Sequence, residues 1–376
     1  MKPQFEGFAN KEFVSHAYST LSSQDSSSAA AITTLPKRLN HTYNLLYQVG
    51  VGAYGSVYKA KCEQTGDIVA LKRVKIDPSQ NRHGFPIPAI REIKYLSQAN
   101  HVNSVKLFEI LSGGTGNLED EDLLMTLVFE YVESDLCGYL TTCTLTEIHR
   151  LCIMKQLLDG LFYAHVNQIC HRDLKPSNIL INSKGNVRIG DWGMCRQVLP
   201  NRQYTNEVVT LWYRAPELVL GETRYGTEID MWALGCVFAE LYVGQAVLRG
   251  SNEDLQLKLI LQLLGRPVAW PKAWDMLPRF PQIQSTSTTT VAQWDKVLVS
   301  VRSAAKELLG KLLCYDPVTR LTANQALDDE LFWGADGQFA CAPNMLPTPR
   351  GDGVHEFQLR AQQEKAESHK KRRLEV

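Results

Sequence analysis

Four short stretches of this 376-residue chain hold side chains that could do chemistry together. His171-Arg172-Asp173-Leu174-Lys175-Pro176-Ser177-Asn178 puts a carboxylate, an ammonium and a carboxamide on a polar turn before the apolar run Ile179 to Ile181. Asp173 could accept the proton of an attacking hydroxyl. Lys175 could neutralise charge on a phosphoryl group in transit, and Asn178 could offer a neutral oxygen to Mg2+. Asp191-Trp192-Gly193 follows, and Asp191 would be the acidic metal ligand that bridges Mg2+ to the β- and γ-phosphates. Upstream, Gly50-Val-Gly52-Ala-Tyr-Gly55-Ser-Val57 fits G-x-G-x-x-G-x-V. Glycines let backbone N–H groups approach phosphate oxygens closely. A dinucleotide-binding loop with similar glycines would open a helix; here Val57, Tyr58, Lys59 and Ala60 continue a strand, so a hairpin over phosphates is expected. Lys72, in Ala70-Leu71-Lys72, could reach the α- and β-phosphates, and an acid, Glu92, follows on a predicted helix. Singly, these features read as a plain hairpin, a solvated lysine and a polar turn. Their joint order and spacing point to phosphoryl transfer.

The elements that must position these groups are legible in outline. Tyr43 to Leu71 alternates short β-rich runs with glycine turns, which predicts an antiparallel sheet, and Leu123 to Tyr131 adds another strand. The acidic run Glu119 to Asp122 before it reads as a solvated hairpin tip. After about Val132 the pattern turns helical. Thr144-x-x-Glu147 has capping-box spacing before Leu151, Met154, Leu158, Leu161 and Phe162. Ile229 to Tyr242 is apolar almost all round, so it should be a helix buried in the larger half. Ala304 to Leu313 and Thr322 to Leu327 suggest further helices. The fold class is therefore α+β, a small sheet-rich half and a larger helical half with a ligand cleft between them. The boundaries expected are a Ser/Thr-rich disordered arm over 1–42, a domain over 43–333 divided near 132, and a C-terminal extension over 334–376.

Composition narrows the function classes. Forty Lys+Arg against forty Asp+Glu give zero net charge, which argues against a protein that coats nucleic acid along its whole surface. No direct nucleic-acid partner and no membrane partner are expected, since no apolar run approaches the roughly 18 residues of a membrane helix. Nine cysteines without a C-x-x-C pair suggest neither a disulfide framework nor a thiolate zinc site.

With Ala215-Pro216-Glu217 closing the segment after Asp191, the stretch from Tyr43 to Phe332 resembles a eukaryotic protein kinase, and within that family the cyclin-dependent kinases. The resemblance implies a bilobal kinase fold, ATP and Mg2+ as cofactors, and Ser/Thr phosphorylation at Ser-Pro or Thr-Pro sites. It assigns Val49, Gly50, Gly52, Gly55, Val57, Ala70, Lys72, Phe129, Glu130, Val132, Asp135 and Asn178 to the nucleotide, and Asn178 and Asp191 to the metal. Pro86 to Glu92 (PIPAIRE) is similar to the family's cyclin-binding helix, so Ile90 would touch a cyclin and Glu92 would pair with Lys72. Pro88 fits the first helical turn, which places the helix start near Ile87. Thr205-Asn-Glu-Val-Val-Thr210 resembles the activation segment. Thr205 would be phosphorylated by an activating kinase, and Thr210 would bridge Asp173 and Lys175. Arg91, Arg172 and Arg196 match the arginines that would order a phosphate, and Glu217 would pair structurally with Arg320.

The helix and activation segment resemble those of the transcription-elongation kinases more than the cell-cycle ones, which suggests the RNA polymerase II C-terminal repeats as substrate. His355-Glu356 and Lys370 to Arg373 resemble that branch's C-terminal extension, although here extra residues separate them. From Arg360 to Val376 six basic residues face three acidic ones, a pattern that suggests nuclear localisation. Of the inhibitory Thr-Tyr pair of cell-cycle kinases only Tyr54 is present. A cell-cycle kinase, a mitogen-activated kinase and a pseudokinase scaffold are the alternatives. The second would need Thr-x-Tyr where this chain has Tyr204-Thr205, and the third conflicts with the intact catalytic set. Trp192 stands where the family usually has Phe.

Overall fold

The computed structural model describes residues 43–52, 55–74, 86–112, 125–284, 292–333, 342–349, 354–361 and 364. The expected N-terminal arm, Tyr54, the acidic run Glu119 to Asp122 and the basic cluster Lys370 to Arg373 lie outside them.

The first half is a five-stranded antiparallel sheet built from β1 (Tyr43–Gly52), β2 (Gly55–Cys62), β3 (Ile68–Val74), β4 (Leu107–Ser112) and β5 (Met125–Glu130). Its strand order is β1-β2-β3-β5-β4. The glycine motif spans the β1–β2 turn, with Gly52 paired to Gly55, so it opens a strand and not a helix. Gly55 has φ +153, and a Cβ there would overlap the Arg73 carbonyl oxygen, so only glycine fits. One face of the sheet packs Tyr43, Ala60, Val69, Leu71 and Val128 into a small core. The other face joins the main core through Val74, Leu127 and Phe129. Helix α1 (Ile87–Leu96) lies between β3 and β4 in sequence. Pro86 precedes it and Pro88 sits in its first turn, where a missing N–H breaks no helical bond, so the start falls where the sequence placed it.

The second half begins with the two-residue strand β6 (Ser134–Asp135), then α2 (Leu136–Thr142) and α3 (Glu147–Val166). The capping residue of α3 is Thr146, not Thr144: its N–H donates to His149 Nδ1 at 3.2 Å. Histidine at the third helical position takes the reciprocal role assigned to Glu147, because Glu147 already lies inside the helix. Strands β8 (Ile179–Ile181) and β9 (Val187–Ile189) form a three-stranded sheet with β6, and β7 (Ile169–Cys170) pairs with β10 (Arg196–Gln197). Helix α4 (Pro216–Val219) precedes α5 (Glu228–Val243), which is buried from Ile229 to Tyr242, as its continuous apolar run requires. It ends at Gly244 with φ 79, the left-handed stop that glycine allows. Helices over Glu253–Leu264, Ser303–Leu312 and Ala323–Leu327 complete the layer around it.

Candidate active site

Three elements deliver one charge each to the cleft between the halves. β3 supplies Lys72, α1 supplies Glu92, and the turn after β9 supplies Asp191. Lys72 Nζ lies 2.8 Å from Glu92 Oε2 and 2.9 Å from Asp191 Oδ1. Glu92 is buried, whereas the Asp191 side chain is half-exposed. Burial works against the charge on Lys72, but the two carboxylates override it and hold the ammonium above its ordinary range. Lys72 in turn holds the Asp191 carboxyl below the usual carboxylate range.

The second group is the loop between β7 and β8. Asp173 Oδ2 accepts from Lys175 Nζ at 2.8 Å and from Asn178 Nδ2 at 3.1 Å. Its Oδ1 accepts from Thr210 N at 3.1 Å and Thr210 Oγ1 at 2.9 Å. Lys175 Nζ also donates to Thr210 Oγ1 at 3.0 Å, so threonine, lysine and aspartate form a closed ring. The Gly190 N–H donates to the Asn178 carbonyl at 2.8 Å, which sets Asn178 beside Asp191. Asn178 spends its amide nitrogen on Asp173, and among the described residues its amide oxygen takes no hydrogen bond. That oxygen and the second Asp191 oxygen are hard donors suited to Mg2+, with phosphate oxygens and water to complete the shell. Among the described residues no cluster of three His, Cys, Asp or Glu offers another metal site.

The loop hangs on Asp230, inside α5. Its Oδ2 accepts from His171 N at 2.7 Å and lies 3.1 Å from His165 Nε2; its Oδ1 accepts from Arg172 N at 2.9 Å. Sequence reading missed this anchor. The signal was available: a carboxylate buried in the apolar run Ile229 to Tyr242 must satisfy buried donors, as Glu240 in the same helix does by accepting from Tyr213.

The stretch with the kinase-like motifs, residues 43–332, matches the model of the protein kinase domain. The chain is 42% identical over 332 residues to cyclin-dependent kinase C-2 of Arabidopsis thaliana, covering 85% of this chain and 63% of that one. It is 40% identical over 304 residues to cyclin-dependent kinase 9 of Rattus norvegicus, covering 77% of this chain and 80% of that one. Among solved structures, the yeast RNA Pol II CTD kinase CTDK-1 complex aligns with a TM-score of 0.72 and 37% identity, over 83% of this chain and 98% of that one. The chain belongs to the protein kinase family. Its relatives are cyclin-dependent kinases, and it spans less than two thirds of the length of the Arabidopsis relative. Protein kinases in general use ATP and Mg2+.

The sheet register of this kinase aligns most of the residues expected at the nucleotide. Gly50 pairs with Val57, Val57 with Lys72, and Ala70 with Phe129. Val49, Phe129 and Val132 are buried. The Glu130 side chain turns elsewhere, accepting from Lys106 N at 2.8 Å and Arg188 Nε at 3.1 Å. Asp135 is also engaged: Oδ1 caps α2 through Gly138 N at 2.8 Å, and Oδ2 accepts from Glu356 N at 2.6 Å. The second contact comes from the C-terminal extension, which sequence reading left without a docking place. Val354 N donates to Ser134 Oγ at 3.1 Å, and Tyr139 donates to the Pro347 carbonyl at 2.6 Å.

The expected phosphate-binding arginines converge. Burial pushes the Cys195 thiol up to about 12, and the guanidinium groups of Arg172, Arg91 and Arg196 act against that shift. Cys195 Sγ also donates to the Arg91 carbonyl at 3.8 Å. Arg172 donates to Tyr225 Oη at 3.0 Å, and Tyr225 donates to the Thr205 carbonyl at 2.6 Å. The Thr205 side chain is exposed. Arg196 is lowered by its own burial and by repulsion from Arg172 and Arg202, and its Nε is buried with no hydrogen-bond partner among the described residues.

Proposed function

We propose that this chain is the catalytic subunit of a cyclin-activated Ser/Thr kinase that transfers the γ-phosphate of ATP to Ser-Pro or Thr-Pro sites in the RNA polymerase II C-terminal repeats. The observation that carries the reading is the simultaneous closure of Lys72 on Glu92 and Asp191 and of Asp173 on Lys175 and Thr210. Lys72 fastens the α- and β-phosphates while Glu92 keeps its ammonium aimed. Asn178 and Asp191 would hold Mg2+, which would supply neutralisation of phosphate charge. Asp173, fixed by its donors, takes the proton of the substrate hydroxyl, and Lys175 offsets charge on the group in transit.

Proline selection has support in the backbone. Val209 has φ 65, and its carbonyl accepts from Arg214 Nε at 3.3 Å and Nη2 at 3.1 Å. With that carbonyl spent internally, an N–H in the next substrate residue would go unpaired, whereas proline has none to lose. Phosphorylation of Thr205 by an activating kinase would give Arg196 and its neighbours their anion. Ile87, 53% exposed, and the partly buried Ile90 leave α1 an apolar edge for a cyclin. Likeness to the yeast RNA Pol II CTD kinase supports the polymerase repeats as substrate. Nuclear localisation is suggested by the basic tail.

Asp173→Asn and Lys72→Met should each abolish phosphorylation of a polymerase repeat peptide by the purified kinase–cyclin pair. Turnover retained in both variants would overturn the reading.

A further inference from the structure

We propose that Trp192 is a positioning residue that latches Asp191 toward the cleft through its indole N–H, and not through bulk alone. The role it gives Asp191 rests on the kinase reading above; the latch itself is a property of the fold.

Trp192 is fully buried. Its Nε1 donates to the Ile189 carbonyl at 3.0 Å, at the end of β9. Its ring lies 4.0 Å from Tyr95 of α1 at 31°, and 4.5 Å from His171 of the catalytic loop, edge-on. One side chain therefore ties together the three elements that frame Asp191. Between donor and acceptor the backbone is constrained further. Gly190 donates to the Asn178 carbonyl at 2.8 Å and its own carbonyl lies 2.9 Å from His171 Nε2. Asp191 itself has φ 51 and ψ 65, a left-handed conformation that surrounding contacts must hold in place.

A phenylalanine here could fill much of the space and stack on Tyr95 and His171, but it could not donate. The Ile189 carbonyl also accepts from Val105 N at 3.0 Å. Losing the indole bond therefore leaves no orphaned acceptor, and the change reports the bond itself. To turn Asp191 outward, Trp192 must break a buried hydrogen bond and leave both rings in the same step. With phenylalanine only the rings must part. The outward state is thus rarer in this chain by the worth of one buried neutral hydrogen bond, about five- to tenfold in population.

The test compares the full chain with Trp192→Phe and with a variant carrying benzothienylalanine at 192, where sulfur replaces the N–H in a ring of the same shape. Hydrogen exchange is followed at the Gly190 and Cys195 amides, both hydrogen-bonded beside the latch, with α5 amides as the control for global opening. Both variants should exchange about five- to tenfold faster at those amides and unchanged in α5. Unchanged exchange at Gly190 and Cys195 in the benzothienylalanine protein would overturn the latch. So would acceleration equal to that in α5, which would make Trp192 a core residue only. The readout needs no turnover, so it stands apart from the Asp173→Asn assay. Turnover retained in both Asp173→Asn and Lys72→Met would remove the kinase reading and leave the exchange result intact.

Discussion

Asp230 shows how much of a reactive loop depends on a residue that touches no substrate. It receives two backbone N–H groups and faces His165, all from within α5. Burial would raise its carboxyl, but His165, His171 and the Arg172 N–H prevail and leave it depressed. Arg172 is thereby held at φ 68, next to Asp173, the proposed proton acceptor. Asp230→Asn should lower stability at neutral pH by about 3 kcal/mol, the usual result of removing one member of a buried charged network. The sign of the pH effect follows from the depressed value. The stabilisation is complete above the ordinary aspartate pKa of about 3.9 and is lost as pH falls through the folded value. The gap between wild type and variant should therefore close below about pH 4. Denaturant titrations at pH 7 and in that acid range check this. A gap that stays constant would mean the carboxylate charge contributes nothing.

At the scale of elements, α2 and the C-terminal extension depend on one another. Gly138 lies inside α2, where alanine would favour the helix by about 1 kcal/mol. The docked extension forbids that exchange, because a Cβ on Gly138 would overlap the Val354 carbonyl oxygen. Gly185, in the β8–β9 turn, is closed off in the same way by the Pro343 carbonyl. Gly138→Ala should leave the body of the fold at least as stable while freeing residues 354–361, so limited proteolysis should cut there faster. Protection equal to wild type would show that the close approach is not what seats the extension. The long-range partners Ser134, Asp135 and Tyr139 had no local signal. Nothing in the spacing of a helix N-cap says that a chain more than 200 residues away will share its carboxylate. The start of α1, by contrast, was readable from Pro86 and Pro88 alone, because proline constrains its own backbone.

Across the whole molecule, Arg320 ties the end of the activation region to the helical core. It donates to both Glu217 oxygens, at 2.7 and 3.0 Å, and to the Cys314 and Glu228 carbonyls, over the Trp232 ring. Arg320→Met should cost about 3–5 kcal/mol by stranding a buried carboxylate, and adding Glu217→Gln should recover part of it. A double-mutant cycle by denaturation measures the coupling; additive losses would deny the pair its role. The sequence by itself determined the order of the chemical groups, the hairpin over the glycine motif, the buried α5 and the Glu217–Arg320 pairing. These follow from backbone preferences, apolar periodicity and family motifs written along the chain. Only the tertiary structure decided that Asp230 suspends the catalytic loop, that Asp135 is shared with the extension, and that Trp192 reaches back to Ile189. Each depends on direction as well as residue type: where a buried carboxylate, a helix cap or an indole N–H points once distant elements have packed.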